Sequence, residues 1–436
     1  MKLAIPYPGK NFSLEIPGEN LLCVAGPNDA ESAGDEEGIL TRALGAAVTP
    51  AARGDSSGGK NNLGQFLEGG RKVLVIINDA TRPTPTAAML KAMSPVFKAA
   101  GIEPRRLTIL VATGAHRAPS EEEYRQILGE SYQCFRSRCV AHDSRNADEM
   151  VLSGFTRRGT PVILNRRIPD ADRIVVTGSV EPHYFAGFTG GAKAFLPGVA
   201  AYESVKTNHG RALSPGARAL ALEGNPVRED MDDAAGFIRT PVFSLMTVLD
   251  KGQKTAAAFS GDLMTSFREA AELSKKIFCV SVPEKADIVV SVAKHPMDID
   301  LYQSQKAIDN GALALRDGGT LILVASCRDG LGDKTYAGLL ASASSPAEAL
   351  EKIRREYKLG YHKAAKMAMV SGRARITAVT ELPAAELERM FIGSAPSPQA
   401  ALDEALKRAK DRGAGVPKVL VLPDGCVTVP VTDRGS

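Results

Sequence analysis

Apolar runs that stop abruptly at polar, glycine-bearing turns recur along the first half of the chain, and each one predicts a buried strand. Val73-Leu-Val-Ile-Ile77 ends at Asn78-Asp79 and is followed by a helical pattern through Met89 and Val96 to Gly101. Leu107–Ala112 ends at Thr113-Gly114-Ala115-His116, and Arg173–Thr177 ends at Gly178 and leads towards His183. Strands that are apolar throughout, with helical patterns between them, predict an open and largely parallel sheet, in which ligands sit beyond the carboxyl ends of the strands. Residues 2–17 read as two short β segments around Pro8-Gly9-Lys10-Asn11, a hairpin signal.

A second α/β series starts with Ala286-Asp-Ile-Val-Val-Ser291. It continues through a helix around 303–315, the strand Thr320–Ala325, and helices around 346–357 and 383–391. Ser397-Pro398 supplies an N-cap and a first-turn proline for a further helix, which Gly413 closes. The pattern predicts an α/β protein of two domains with largely parallel sheets and an active-site cleft between them. Residues 1–272 form the first domain and 273–412 the second, and strands in 413–436 return to the first. The polar stretch 52–62 (ARGDSSGGKNN) reads as a surface loop inside the first domain rather than as a boundary.

Composition narrows the function classes. The 436 residues are enough for two cores without staples, and the balance of 44% hydrophobic to 24% charged residues is that of a folded globular chain. A net charge of +4, with no basic block or aromatic-studded basic stripe, gives no indication of nucleic acid and leaves small anionic substrates open. The six cysteines contain no C-x-x-C pair, so neither a disulfide framework nor a thiolate zinc site is indicated. With no signal-peptide pattern and no apolar run of membrane-spanning length, the expected location is the cytoplasm.

The candidate chemistry is densest from Glu181 to Gly198, in Glu181-Pro-His183-Tyr-Phe-Ala-Gly187-Phe-Thr-Gly190-Gly191-Ala-Lys193-Ala-Phe-Leu-Pro197-Gly198. Glycines leave backbone amides open to a phosphate or a ring, and Lys193 offers either a counter-charge or an amine able to form a covalent bond. A plain glycine-rich crossover with a solvated lysine also satisfies the pattern. The loop is not a Walker A motif, because Ala192 and Ala194 flank the lysine, and the chain has neither G-x-G-x-x-G nor G-x-S-x-G. Of the remaining histidines, His142 reads as a surface residue in a polar loop, His295 as structural, and His362 as a possible pocket residue.

The stretch H-Y-F-A-G-F-T-G-G-A-K from His183 to Lys193, with His209 sixteen positions beyond the lysine, resembles the signature of nickel-pincer-dependent lactate racemases and their homologues. Asp79-Ala-Thr-Arg82-Pro-Thr-Pro85, Gly114-Ala-His116-Arg117, Gly224-Asn-Pro226, Tyr302-Gln303-x-x-Lys306 and Gly360-Tyr-His362-Lys363 agree with it in order and spacing. The resemblance implies racemisation or epimerisation of a 2-hydroxy acid, with lactate the default substrate. It also implies a nickel pincer nucleotide, a pyridinium mononucleotide with two sulfur-bearing substituents, made by cofactor-biosynthesis proteins. By the same resemblance Lys193 tethers the cofactor, Asp79, Gly190 and Gly191 help to bind it, and His209 ligates nickel. His116 and His183 are then mirrored bases, and Arg82 and Lys306 hold the substrate carboxylate with Tyr302 and Gln303 beside them. Closure of the two domains would complete that clamp. This chain has no tryptophan, whereas some relatives place one near the substrate. Two other readings stand against it: a hydrolase or lyase with His116, His183 and His209 around zinc, and a catalytically silent nucleotide-binding or cofactor-carrying protein.

Overall fold

The computed structural model describes residues 1–30, 35–46, 62–413 and 415–432. The predicted surface loop at 52–62 lies, apart from Asn62, outside the described residues. Two compact units emerge, one of residues 29–277 and one combining 1–28 with 278–436. Both are α/β with sheets of mainly parallel strands, as the alternating pattern predicts. No helix among the described residues is long and apolar enough to cross a membrane.

In the 29–277 unit the six-stranded sheet runs in the order Thr255–Gly261, Val242–Leu249, Arg173–Ser179, Val73–Asn78, Leu107–Ala112, Cys139–Ala141. Only the Thr255–Gly261 edge strand is antiparallel. Val73–Ile77 is buried at every position because helices cover both faces of a parallel sheet, which is why its sequence shows no alternation. One apolar layer packs Val75, Ile77 and Ile109 against Met89, Leu90 and Met93 of the helix Thr86–Ala99. After Val73–Asn78 the chain winds outward through Leu107–Ala112, then returns to place Arg173–Ser179 on the other side of Val73–Asn78. That reversal makes Val73–Asn78 the switch point of the sheet. A crevice is expected at the carboxyl ends there, where neighbouring connections depart to opposite sides.

The other unit carries an all-parallel sheet in the order Gly393–Ser394, Arg375–Val379, Leu315–Val324, Ala286–Val292, Val419–Leu422, Leu21–Val24. Two sequence-based assignments are corrected here. The terminal strand Val419–Leu422 does not return to the first domain: it lies between Ala286–Val292 and Leu21–Val24. Residues 1–28 likewise belong with the C-terminal series, although they precede the first domain in sequence. The physical reason is burial. Val419-Leu-Val-Leu422 is buried at all four positions and needs a neighbour on each side, while Ile5, Leu14 and Ile16 of the hairpin segment pack against Ile288, Val290 and Val421.

Candidate active site

Three strand ends in the 29–277 unit deliver the polar residues singled out from sequence. Asp79 follows Val73–Asn78, His116 follows Leu107–Ala112, and His183 follows Arg173–Ser179. Asp79 is buried and its Oδ2 lies 2.8 Å from His116 Nδ1. Thr81 donates to the other oxygen from both its hydroxyl, at 2.6 Å, and its backbone N–H, at 3.2 Å. Burial alone would raise the Asp79 pKa. The hydrogen bonds from His116 and Thr81, with the nearby Arg82 charge, outweigh it and hold the carboxyl below its ordinary value. Asp79 is therefore ionised at neutral pH and can only accept, so His116 donates through Nδ1–H and its lone pair lies on Nε2. The His116 ring is well exposed, at 58%.

His183 is held in the opposite tautomer. The backbone N–H of Ala186 donates to His183 Nδ1 at 3.3 Å, which puts the ring proton of neutral His183 on Nε2. Its ring stacks on Tyr184, with centroids 4.9 Å apart, and meets Phe185 edge-on at 4.6 Å.

Phe185 was not singled out from sequence, and the structure makes it the hub. Its ring lies 4.6 Å from that of His183, 5.1 Å from that of His209 and 5.8 Å from the Lys193 amine. The three residues named for base, ligand and tether are thus gathered around one buried aromatic ring. Asn225, from the Gly224-Asn-Pro226 motif, fixes it: its side chain donates to the Phe185 carbonyl at 2.9 Å and caps the helix Pro226–Ala235 by accepting from Val227 and Arg228 N–H.

His209 sits in the last turn of the helix Tyr202–Gly210, buried, with Nδ1 3.2 Å from Asn208 Oδ1. Asn208 spends its amide N–H₂ on the Val227 carbonyl and on buried Asp230, at 3.0 and 2.9 Å, so its oxygen faces the imidazole as an acceptor. His209 must then donate through Nδ1–H, which puts the lone pair of the neutral ring on Nε2, the nitrogen through which an imidazole so oriented ligates a metal. A ligating histidine is commonly oriented in this way by the hydrogen bond of its other nitrogen.

Lys193 lies in a single 3₁₀ turn, Gly191–Ala194, and is half-buried. Burial, followed by the charges of Arg82 and Arg228, drives its pKa well below the ordinary lysine value. Arg228 is another residue that sequence did not reveal. It is fully buried, 3.0 Å from Asp232, 3.7 Å over the Phe267 ring, and donates to the Gly190 carbonyl at 3.2 Å. Gly190 and Gly191 both take positive φ, and a Cβ on Gly191 would meet Arg228 and Phe267 at 2.7 Å. Gly191 is demanded by the packing of the loop onto Arg228 and Phe267, and Gly190 by its approach to Val180, where a Cβ would meet the side chain at 2.7 Å.

Tyr302, Gln303 and Lys306 lie on the helix Leu301–Gly311 of the other unit, past the carboxyl end of Ala286–Val292. Lys363 donates to the Tyr302 carbonyl and its amine sits 4.0 Å over the Tyr302 ring. Burial and then the charge of Lys306 bring the Lys363 pKa down to about 7. His362 is buried, with Nδ1 3.2 Å from the Tyr357 hydroxyl, and His295 is exposed, 3.6 Å from Asp298. His142, expected at the surface, is buried: Nε2–H donates to the Ala200 carbonyl at 3.0 Å and Nδ1 accepts from Asn165 at 3.3 Å. Two partners distant in sequence satisfy the ring and make burial tolerable.

Among the described residues no group of three His, Cys, Asp or Glu side chains is placed to hold a metal ion, so the three-histidine zinc arrangement is not formed. The Asp79–His116 contact gives a first test of the site. Asp79→Asn is expected to lower turnover about 10²-fold, the scale for losing a carboxylate that orients a working imidazole, with the fold retained. Its rate against pH and its circular dichroism, compared with those of the unaltered chain, measure this.

A family model described as the lactate racemase N-terminal domain matches residues 7–219, and one described as the lactate racemase C-terminal domain matches residues 282–431. A lactate racemase of Thermoanaerobacterium thermosaccharolyticum is 30% identical over 443 aligned positions, spanning 99% of both chains. Another, from Lactiplantibacillus plantarum, is 31% identical over 383 positions, covering 85% of this chain and 88% of that one. The apoprotein structure of the T. thermosaccharolyticum lactate racemase matches with a TM-score of 0.89 at 29% identity, over 99% of this chain and all of that one. A Thermotoga maritima protein at 18% identity shares the fold, with a TM-score of 0.66 over 93% of this chain and 100% of its own.

Proposed function

The chain belongs to the lactate racemase family, and from that premise we propose that it inverts the hydroxyl-bearing carbon of a lactate-like 2-hydroxy acid. The observation that carries the reading is the gathering of His183, His209 and Lys193 around Phe185. A silent nucleotide carrier would need the lysine but neither an imidazole with its lone pair on Nε2 held by a buried carboxylate nor a second imidazole in the opposite tautomer.

The residues fit a tethered nickel pincer nucleotide. Lys193 offers an amine whose pKa burial holds well below the ordinary lysine value, which favours the uncharged form in which an amine is nucleophilic and can carry a covalent link. His209 offers one buried, oriented imidazole that would hold the nickel such a cofactor brings. When bound, this group supplies the hydride acceptor that no side chain can be.

The chain's own part is proton handling and positioning. His116 takes the hydroxyl proton through Nε2, and Asp79 stabilises the imidazolium that results. His183 presents Nε2–H at rest. It must release the Ala186 contact to accept a proton from the other enantiomer, and that contact, at 3.3 Å, is long enough to yield. Arg82 would receive the substrate carboxylate with its planar fork. The parts proposed for Tyr302, Gln303 and Lys306 rest on the family resemblance.

The test is polarimetry. Protein produced in a host that makes the nickel cofactor, given single-enantiomer 2-hydroxy acids one at a time, is expected to drive the optical rotation of at least one of them to zero. Rotation that stays constant for all, with the adduct present, would refute the reading.

A further inference from the structure

The 1–28/278–436 unit contains a cavity of about 520 Å³ that the proposed chemistry does not use. It opens at the amino ends of the strands Leu315–Val324, Arg375–Val379 and Gly393–Ser394. Tyr302 and Lys306 sit past the carboxyl edge of this same sheet, so the cavity occupies its other end.

Four arginines line it, Arg373, Arg375, Arg408 and Arg412, against a single acidic residue, Glu388. Two of the four are already neutralised: Arg373 pairs with Asp317 at 2.8 Å and Arg375 with Glu404 at 3.2 Å. Arg408 and Arg412 have no carboxylate partner among the described residues. They lie four apart on the helix Pro398–Asp411 and its C-cap, hence on one face. Arg412 is anchored by donating to the Gly318 carbonyl at 2.5 Å. Arg408 Nε is buried and makes no hydrogen bond, and neither does the buried hydroxyl of Ser371 in the same lining. Buried donors left without acceptors are costly and call for a reason.

Phe391, also in the lining, takes φ +63 where it caps the helix Ala384–Arg389, with Ile392 N–H closing back onto the Leu387 carbonyl at 3.0 Å, and this cap fixes the Phe391 side of the cavity.

We propose that this cavity binds a small phosphate-bearing molecule. The reasons are the number and kind of donors. Two guanidinium groups without a carboxylate partner line one space, and their several N–H donors suit the oxygens of a tetrahedral phosphate better than the two of a carboxylate. Net positive charge in a concave site raises the local concentration of such an anion. The volume exceeds what one phosphate fills, which leaves room for the rest of the molecule against Phe391.

Calorimetric titration of the full chain with inorganic pyrophosphate, AMP and citrate, at constant ionic strength, tests this. Pyrophosphate or AMP is expected to bind at one site, and Arg408→Gln and Arg412→Gln are each expected to weaken binding about tenfold or more, the scale of one lost charge-assisted contact. Arg408→Lys should recover part of the loss. Arg355→Gln, which removes an 80% exposed arginine from another helix, should change nothing. Circular dichroism of each variant separates lost binding from lost folding, and either of the two arginine variants suffices if the other fails to fold. The proposal is overturned if neither phosphate compound binds, if citrate binds more tightly than both, or if Arg355→Gln weakens binding as much as Arg408→Gln.

Discussion

Alanine at His116 or at His183, introduced one at a time, is expected to cut racemisation roughly 10³-fold, the middle of the range for loss of a positioned acid or base. The mass carried by Lys193 should be unchanged in both. His116 touches Asp79, His183 touches Tyr184, Phe185 and Ala186, and none of these contacts involves Lys193. The two losses should also be far from additive, because one proton must be taken and another returned in each inversion, and either missing partner stops the cycle. Polarimetry gives the rate and intact-mass measurement gives the attachment. Full activity in either variant would dismantle the paired-imidazole mechanism. Loss of the adduct in either would mean that the histidines build the cofactor site rather than work on substrate.

The strands behind this site were legible because a parallel strand covered on both faces has no choice but to be apolar throughout, and Val73–Ile77 and Ala286–Ser291 announce themselves in that way. The polar residues that follow them were legible for the same reason, as abrupt endings of apolar runs. Which strands become neighbours is a different kind of information. Leu21–Val24 pairs with Val419–Leu422 across nearly the whole chain, and nothing in either tetrapeptide names its partner. The site shows the same division. Histidines and a lysine beside glycines draw attention by their chemistry. Phe185 is one aromatic among several in its stretch, and Arg228 stands among charged neighbours, Arg228-Glu229-Asp230, that give it no distinguishing mark. Only tertiary contact shows that the Phe185 ring meets three functional groups, and that a charged Arg228 is buried beneath the Lys193 loop.

Lys193→Met and His209→Ala should fail in different ways, and that difference tests the site most sharply. Methionine at 193 is expected to abolish the covalent adduct and, with it, activity to background. Alanine at 209 should leave the adduct in place while nickel content falls to a small fraction, because the proposed tether and the proposed ligand are separate residues flanking Phe185. Intact mass reports the first and metal analysis the second. The chain without cofactor offers a readout that needs no chemistry at all. With its pKa depressed in the folded state, Lys193 binds fewer protons folded than unfolded over the interval below the ordinary lysine range. Stability should therefore rise with pH through that interval and be lost again as pH falls towards the folded-state value. Lys193→Met should flatten this slope and be the more stable chain at neutral pH, as urea unfolding at two pH values will measure. An unchanged slope would mean that the amine is well hydrated, and an amine so hydrated would not have the uncharged, nucleophilic character on which its role as a tether depends.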